Sequence, residues 1–205
     1  MFTFSTNLAG QSAFSTLTVA TGVVALAEIG DKTQLLSFAL AARYKKPWPI
    51  IWAILVATLL NHFMAAWAGQ WLIQTLQHWL TPQSQKWLLA ASFFVMAGWL
   101  LIPDKFDDSG ITQSTSSIFL TTFIAFFIAE MGDKTQVATV LLAAQSKELV
   151  AVVVGTTLGM MLANVPAVIL GERLANKLSN PNMLTWVHRG AAAIFLGIAV
   201  FIALA

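Results

Sequence analysis

The 205 residues contain no cysteine and only three histidines. No disulfide, thiolate metal ligand or redox pair can form, and the missing thiols argue against copper and zinc chemistry. Charge is scarce too: 10% of residues are charged, against about 25% in a soluble domain. The net charge of +2 is too small to recruit nucleic acid. The first twenty residues carry no Lys or Arg, so they lack the basic opening of a cleaved signal, and the N-terminus is expected to be retained. What fills the chain is apolar: 58% of residues are hydrophobic and the mean hydropathy is +0.75. Apolar runs approach ~20 residues, the length of membrane-spanning helices rather than the ~10 of barrel strands. An all-α integral membrane protein is expected.

Six transmembrane helices are expected near 14–42, 49–74, 86–102, 118–144, 148–170 and 187–204. Pro47 and Pro49 separate the first two, Pro103 ends the third, and Pro181 sits in a polar connection before the sixth. Trp48, Trp52, Trp71, Trp79, Trp87 and Trp186 fall near span ends, where amphipathic rings meet the headgroups. The stretch Ala27-Glu28-Ile29-Gly30-Asp31-Lys32-Thr33-Gln34 returns as Ala129-Glu130-Met131-Gly132-Asp133-Lys134-Thr135-Gln136, at an offset of 102 residues. The same offset pairs Ser15 with Ser117, Lys45 with Lys147, Ala65 with Ala167 and Gly69 with Gly171. Ala53-x-x-x-Ala57 matches Gly155-x-x-x-Gly159, small residues whose spacing lets helix backbones approach. The chain therefore reads as two repeats, 1–102 and 118–205, joined by a linker at 103–117 into one transmembrane domain. Three spans per repeat is odd, so the second repeat is inverted, a common transporter plan. Arg43, Lys45, Lys46, Lys105, Arg173, Lys177 and Arg189 lie on one side, and only Lys86 and Lys147 on the other. The positive-inside rule makes the first side cytoplasmic and leaves both termini outside. The linker aspartates Asp104, Asp107 and Asp108 then face the cytoplasm, as a solvated connection or an attractant for cations.

The repeated motif puts ionisable groups inside apolar spans, where they mark ion or substrate pathways. On a continuous helix Glu28 and Asp31 share a face, as do Glu130 and Asp133, with Thr33, Thr135, Gln34 and Gln136 close by. Gly30 and Gly132 lie between the carboxylates, either to bend or unwind the helix or to permit a close crossing. Insertion scales charge about 2.5–3.5 kcal/mol per central ion, so six such groups cost on the order of 15–20 kcal/mol before pairing. Lys32 and Lys134, four residues after Glu28 and Glu130, offset part of it. Two positive charges are still missing. One divalent cation or two protons would supply them, and that equivalence is the logic of antiport. The oxygen donors suit magnesium, calcium and manganese. His62 and its offset partner Asn164 are the polar candidates on the neighbouring spans, as ligand, proton carrier or interhelical hydrogen-bonding groups. Pro166, two residues after Asn164, is placed to open that helix locally.

Paired E-x-G-D-K-[TS] motifs in a six-span chain resemble the family of Golgi-type calcium/manganese transporters and bacterial manganese exporters of the MneA type. Glu28-Ile29-Gly30-Asp31-Lys32-Thr33 and Glu130-Met131-Gly132-Asp133-Lys134-Thr135 match it without departure, and the likeness covers essentially the whole chain. The short chain without an N-terminal extension looks bacterial. The resemblance implies that the acidic motif residues bind the transported cation and that bacterial members export Mn2+.

The expected function is a secondary-active exporter of a divalent cation, Mn2+ first and Ca2+ next, exchanged for H+ or Na+ across the inner membrane. The expected cation set is Glu28, Asp31, Glu130, Asp133, Gln34, Gln136, Thr33, Thr135 and Asn164, with Lys32, Lys134 and His62 as coupling or charge-balancing groups. No enzyme activity, cofactor or nucleotide-binding motif is expected. The other readings are an exporter of a cationic organic solute such as a basic amino acid, a channel, and a non-transporting scaffold. The oligomeric state is not readable from the sequence.

Overall fold

The computed structural model describes residues 12–76, 78–102, 117–170 and 181–204. The linker aspartates Asp104, Asp107 and Asp108, and the basic residues Lys105, Arg173 and Lys177, lie outside the described residues. Within them every regular element is helical: α1 (Ala13–Glu28), α2 (Lys32–Tyr44), α3 (Pro47–Leu76), α4 (Pro82–Leu100), α5 (Ile118–Glu130), α6 (Lys134–Gln145), α7 (Leu149–Leu170) and α8 (Pro181–Leu204). Hydroxyls of Ser12, Thr81 and Ser117 accept backbone N–H bonds at the starts of α1, α4 and α5. Proline opens α3, α4 and α8, at positions where its missing N–H has no partner to lose. For that reason α8 begins at Pro181, earlier than the residue 187 expected, and Pro181 belongs to the helix rather than to a preceding connection. Pro166 lies inside α7, which runs through it without a break.

The larger departure concerns the first and fourth expected spans. Residues 14–42 form two helices bent by 71° at a short break, and 118–144 is interrupted at Met131–Asp133. By length and composition α3 and α7 each suffice to cross a membrane, and the bent α1–α2 pair makes a third crossing if counted as one. A multi-pass membrane protein follows from these. On α3, Trp52 and Trp71 are nineteen residues apart, about 28 Å along a helix and close to the ~30 Å hydrocarbon thickness. Both are exposed, as are Trp48, Trp79, Trp87 and Trp186.

α3 and α7 pack against each other at the centre. α1 and α2, from the first half of the sequence, lie on α7 of the second. α5 and α6, from the second half, lie on α3 of the first, and α4 pairs with α8. Two apolar cores result. One holds Ala20, Val23 and Ala27 of α1 with Ala138, Leu141 and Leu142 of α6 and residues of α4 and α8. The other joins Leu36 and Leu40 of α2 to Phe126 of α5, Ile50 and Ile54 of α3 and Val168 of α7. At its break the first copy passes from the first core to the second. The second copy passes from the second core to the first. Both breaks therefore lie between the cores.

Close backbone approach sets the position of α1. A Cβ on Gly155 would lie 2.6 Å from the Leu17 carbonyl oxygen, and one on Gly159 would lie 2.6 Å from that of Thr21. The small-residue face expected at Gly155 and Gly159 is thus the seat of α1 on α7. Gly159→Ala is expected to lower stability by up to about 2 kcal/mol, because overpacking costs about 1–3 kcal/mol against a gain of ~1 kcal/mol in helix propensity. Gly22, on α1 with nothing within 4 Å of its would-be Cβ, is the control. Gly22→Ala should be neutral or stabilising in the same thermal-unfolding measurement in detergent.

Candidate functional site at the two helix breaks

Each motif copy is a break between helices, so its carboxylates do not share one continuous helical face. Glu28 is the last residue of α1, Ile29 is extended, Gly30 has φ +82°, and Asp31 caps the start of α2. The second copy repeats this: Glu130 ends α5, Met131 is extended, Gly132 has φ +74°, and Asp133 caps α6. A positive φ is what glycine permits and an L side chain resists. Of the two roles open to the motif glycines, bending is the one seen, and nothing lies within 4 Å of a would-be Cβ on Gly132.

The break brings donors to the carboxylates. Thr33, in the first turn of α2, donates its hydroxyl proton to Glu28 Oε1, and Thr135 does the same for Glu130 Oε1. The amide oxygens of Gln34 and Gln136 accept from the backbone N–H of Gly30 at 2.9 Å and Gly132 at 2.6 Å. Both glutamines thus brace the turn through the oxygen that would otherwise face a cation. Neither Asp31 nor Asp133 makes the side-chain capping bond usual for aspartate at a helix start. Their carboxylates sit instead at the positive end of a helix dipole, where negative charge is favoured. Glu28, Asp31, Glu130 and Asp133 are all at most 3% exposed.

The helix break also redirects the lysines. Without a continuous turn, Lys32 does not fold back on Glu28. Its ammonium reaches the opposite copy and lies 3.3 Å from Asp133 Oδ1. Lys134, fully buried, donates to the Ile102 carbonyl at 2.8 Å. The Lys32–Asp133 pair is a direct ionic link between the two motif copies. Among the described residues no three His, Asp or Glu side chains converge on one metal position.

Asn164 on α7 belongs to the first copy's environment. Its Nδ2 donates to Glu28 Oε1 at 3.1 Å, and its Oδ1 accepts from the Ser37 hydroxyl at 2.7 Å. Gln34 Nε2 donates to the Ala163 carbonyl at 3.0 Å, fastening α2 to the same stretch of α7. His62, the offset partner of Asn164, is completely buried on α3, and neither ring nitrogen has a hydrogen-bond partner. Its neighbour Asn61 donates Nδ2 to the Phe127 carbonyl, one turn before Glu130, at 3.1 Å. Glu130 Oε2 and Asp133 Oδ2 are also buried without hydrogen-bond partners. Such orphaned atoms call for an ion, a proton or water. The sequence reading missed Ser37. The repeat offset pairs it with Thr139, a second buried hydroxyl on the corresponding helix, and that was the available signal.

Comparison with known proteins identifies the chain. The family model described as "Divalent cation/proton antiporter GDT1" matches residues 16–108 and 118–205, and the chain belongs to this family. A Vibrio cholerae protein named "Putative manganese exporter" is 50% identical over 93% of this chain and 91% of its own. "GDT1-like protein 3" of Oryza sativa subsp. indica is 27% identical over 93% of this chain and 74% of its own. "GDT1-like protein 5" of Arabidopsis thaliana is 28% identical over 75% and 82%. No solved structure matches.

Gly132→Ala should destabilise the protein by about 1–2 kcal/mol, the cost of placing an L residue in the left-handed region, despite the open space around it. Gly132→Asn should recover part of that loss, since asparagine tolerates the conformation better. Thermal unfolding of the detergent-solubilised variants checks both.

Proposed function

We propose that this member of the divalent cation/proton antiporter family exports Mn2+ from the cytoplasm across a bacterial inner membrane, in exchange for protons. Ca2+ is its second cargo. The cation binds between the two helix breaks, with carboxylates of Glu28, Asp31, Glu130 and Asp133 as ligands that draw together around it, since no three of them converge on one position beforehand. Thr33, Thr135, Gln34, Gln136 and Asn164 hold those carboxylates and the turns that carry them. The observation that carries this reading is the buried carboxylate pair in each copy, with Glu130 Oε2 and Asp133 Oδ2 unpartnered and the two copies linked through Lys32. The close enclosure of these groups suits a small ion better than an organic solute. The name of the Vibrio cholerae relative supports manganese, and the family supports protons as the counter-ion.

The proposed topology is six crossings in two inverted repeats with both termini outside. Opposite passage between the two cores at the two breaks supports it, as does exchange of partners between halves, α1–α2 on α7 and α5–α6 on α3. Arg43, Lys45 and Lys46 mark the cytoplasmic side by the positive-inside rule. An inside-negative potential opposes export by about 2.3 kcal/mol per elementary charge per 100 mV, and a divalent ion doubles that. Export therefore needs an inward counter-ion. Carboxylates that hold either a cation or protons couple the two flows without further parts. Lys32 balances Asp133 while no cation is bound.

In vesicles reconstituted with the purified protein, Mn2+ flux should follow an imposed proton gradient and stop when it is collapsed. Flux that survives loss of the gradient would refute exchange. Glu28→Gln and Asp133→Asn should each lower flux by at least about tenfold in folded, inserted protein. Near-normal flux in either would make the charged breaks structural. Lys32→Ala should tighten cation binding and slow turnover, because the ammonium no longer competes for Asp133.

A further inference from the structure

The surroundings of Asn164 Nδ2 contain a sulfur atom. Met160, one turn earlier on α7 and completely buried, places Sδ 3.0 Å from this nitrogen. The Met160 carbonyl oxygen is 3.1 Å from it, and Glu28 Oε1 is also 3.1 Å away. A carboxylate oxygen, a carbonyl oxygen and a thioether therefore surround one amide group, all with lone pairs directed at it. The sulfur and the carboxylate oxygen are separated by no more than the sum of their distances to the nitrogen, about 6 Å. A cation at roughly 2.3–2.6 Å from each ligand bridges two atoms up to about 5 Å apart, which this bound allows.

The amide can leave that position without losing its other partner. Rotation of Asn164 about its terminal torsion exchanges Nδ2 for Oδ1. The nitrogen then meets Ser37, whose hydroxyl donates to Oδ1 at present and accepts equally well. The oxygen arrives among the three lone-pair donors, where it is repelled unless a cation is there. With a cation present the same four atoms form one side of a coordination shell: three oxygens and a sulfur. The equivalent position in the first half is Thr58, so the thioether belongs to one copy only.

We propose that the Met160 thioether is a cation ligand that sets the preference of this transporter for a transition-metal ion over Ca2+ and Mg2+. The inference rests on the transport reading above. Ca2+ and Mg2+ are hard ions that take oxygen ligands, and sulfur is a poor substitute for an oxygen in their shells. A divalent transition metal accepts a mixed oxygen and sulfur shell. Carboxylates alone would hold both classes, so the sulfur is what separates them.

Met160→Leu tests this, because leucine keeps the volume and removes the sulfur. In reconstituted vesicles, the Ca2+ concentration that halves Mn2+ flux should fall by about tenfold or more in the variant. Thermal unfolding of the detergent-solubilised variant serves as the check on folding. Cd2+ gives a readout independent of transport: X-ray absorption of the wild-type protein loaded with Cd2+ should show a sulfur scatterer in the first shell, absent in Met160→Leu. An unchanged Ca2+-to-Mn2+ ratio, or a Cd2+ shell of oxygen and nitrogen alone in the wild type, would overturn the proposal and make Met160 a core residue. Wild-type vesicles that move no divalent cation would overturn the transport reading and this inference with it. An altered ratio in Met160→Leu beside loss of flux in Glu28→Gln would support both.

Discussion

Four carboxylates shut away from water inside an apolar helical body are the constraint around which the remainder of the chain is arranged. Burying an ion costs several kcal/mol unless donors or countercharges meet it. A straight helix cannot supply them, since its N–H groups are spent on its own carbonyls. Breaking the helix after Glu28 and Glu130 frees the chain to turn back. The hydroxyls of Thr33 and Thr135 then reach the glutamates, and Gln34 and Gln136 close the turns behind them. The remaining donors come from neighbouring helices, and they arrive only if the backbones are close. Gly155 and Gly159 let α1 lie directly on α7, which brings Asn164 to Glu28. Gly69 does likewise for α3 and α6: a Cβ there would lie 2.3 Å from the Val140 carbonyl oxygen.

The repeat, the helical class and the importance of the charged motif were legible because they are written in residue identity. An offset of 102 needs no structure to be seen, and carboxylates in apolar runs are conspicuous whatever the backbone does. The break itself was not legible. Apolar residues continue on both sides of Gly30 and Gly132, so nothing in the hydropathy marks an end, and a glycine in a helix serves a bend or a close crossing equally well. The assumption of continuous helix then misdirected the lysines. At a spacing of four, Lys32 belongs beside Glu28, but the 71° bend turns it toward Asp133 of the other copy. Ser37 and Met160 were missed for a different reason. A serine and a methionine within apolar stretches carry no signal of their own, and their role depends on which helix from the other half lies opposite.

The two copies are alike in backbone and unlike in surroundings. Around Glu28 the polar atoms are knitted together through Thr33, Asn164 and Ser37. Around Glu130 the corresponding position on α3 is His62, buried with both ring nitrogens unpartnered. Lys32 reaches Asp133 of the other copy, and Lys134 donates to the Ile102 carbonyl just past α4. Sequence differences at the offset positions, His62 for Asn164 and Thr58 for Met160, build part of this inequality into the chain. The glutamates of the two copies therefore meet different neighbours: Asn164 and Ser37 accompany Glu28, and an imidazole holds the offset position beside the second copy.

That inequality bears on how exchange would work. The Lys32–Asp133 pair joins the start of α2 in one half to the start of α6 in the other, at the level where the chain crosses between the two cores. A divalent cation bound at Asp133 competes with the ammonium for the same oxygens, so cation loading and this tie between halves exclude each other. Loading would then loosen the joint at the site, and unloading would restore it, with neither state leaving an uncompensated buried charge. The apolar cores on either side need not deform, because each contains helices from both halves and only the breaks between them carry the polar exchange. A transporter that worked this way would need no separate gate to sense its cargo: the carried ion would itself displace the ion pair that links the two motif copies.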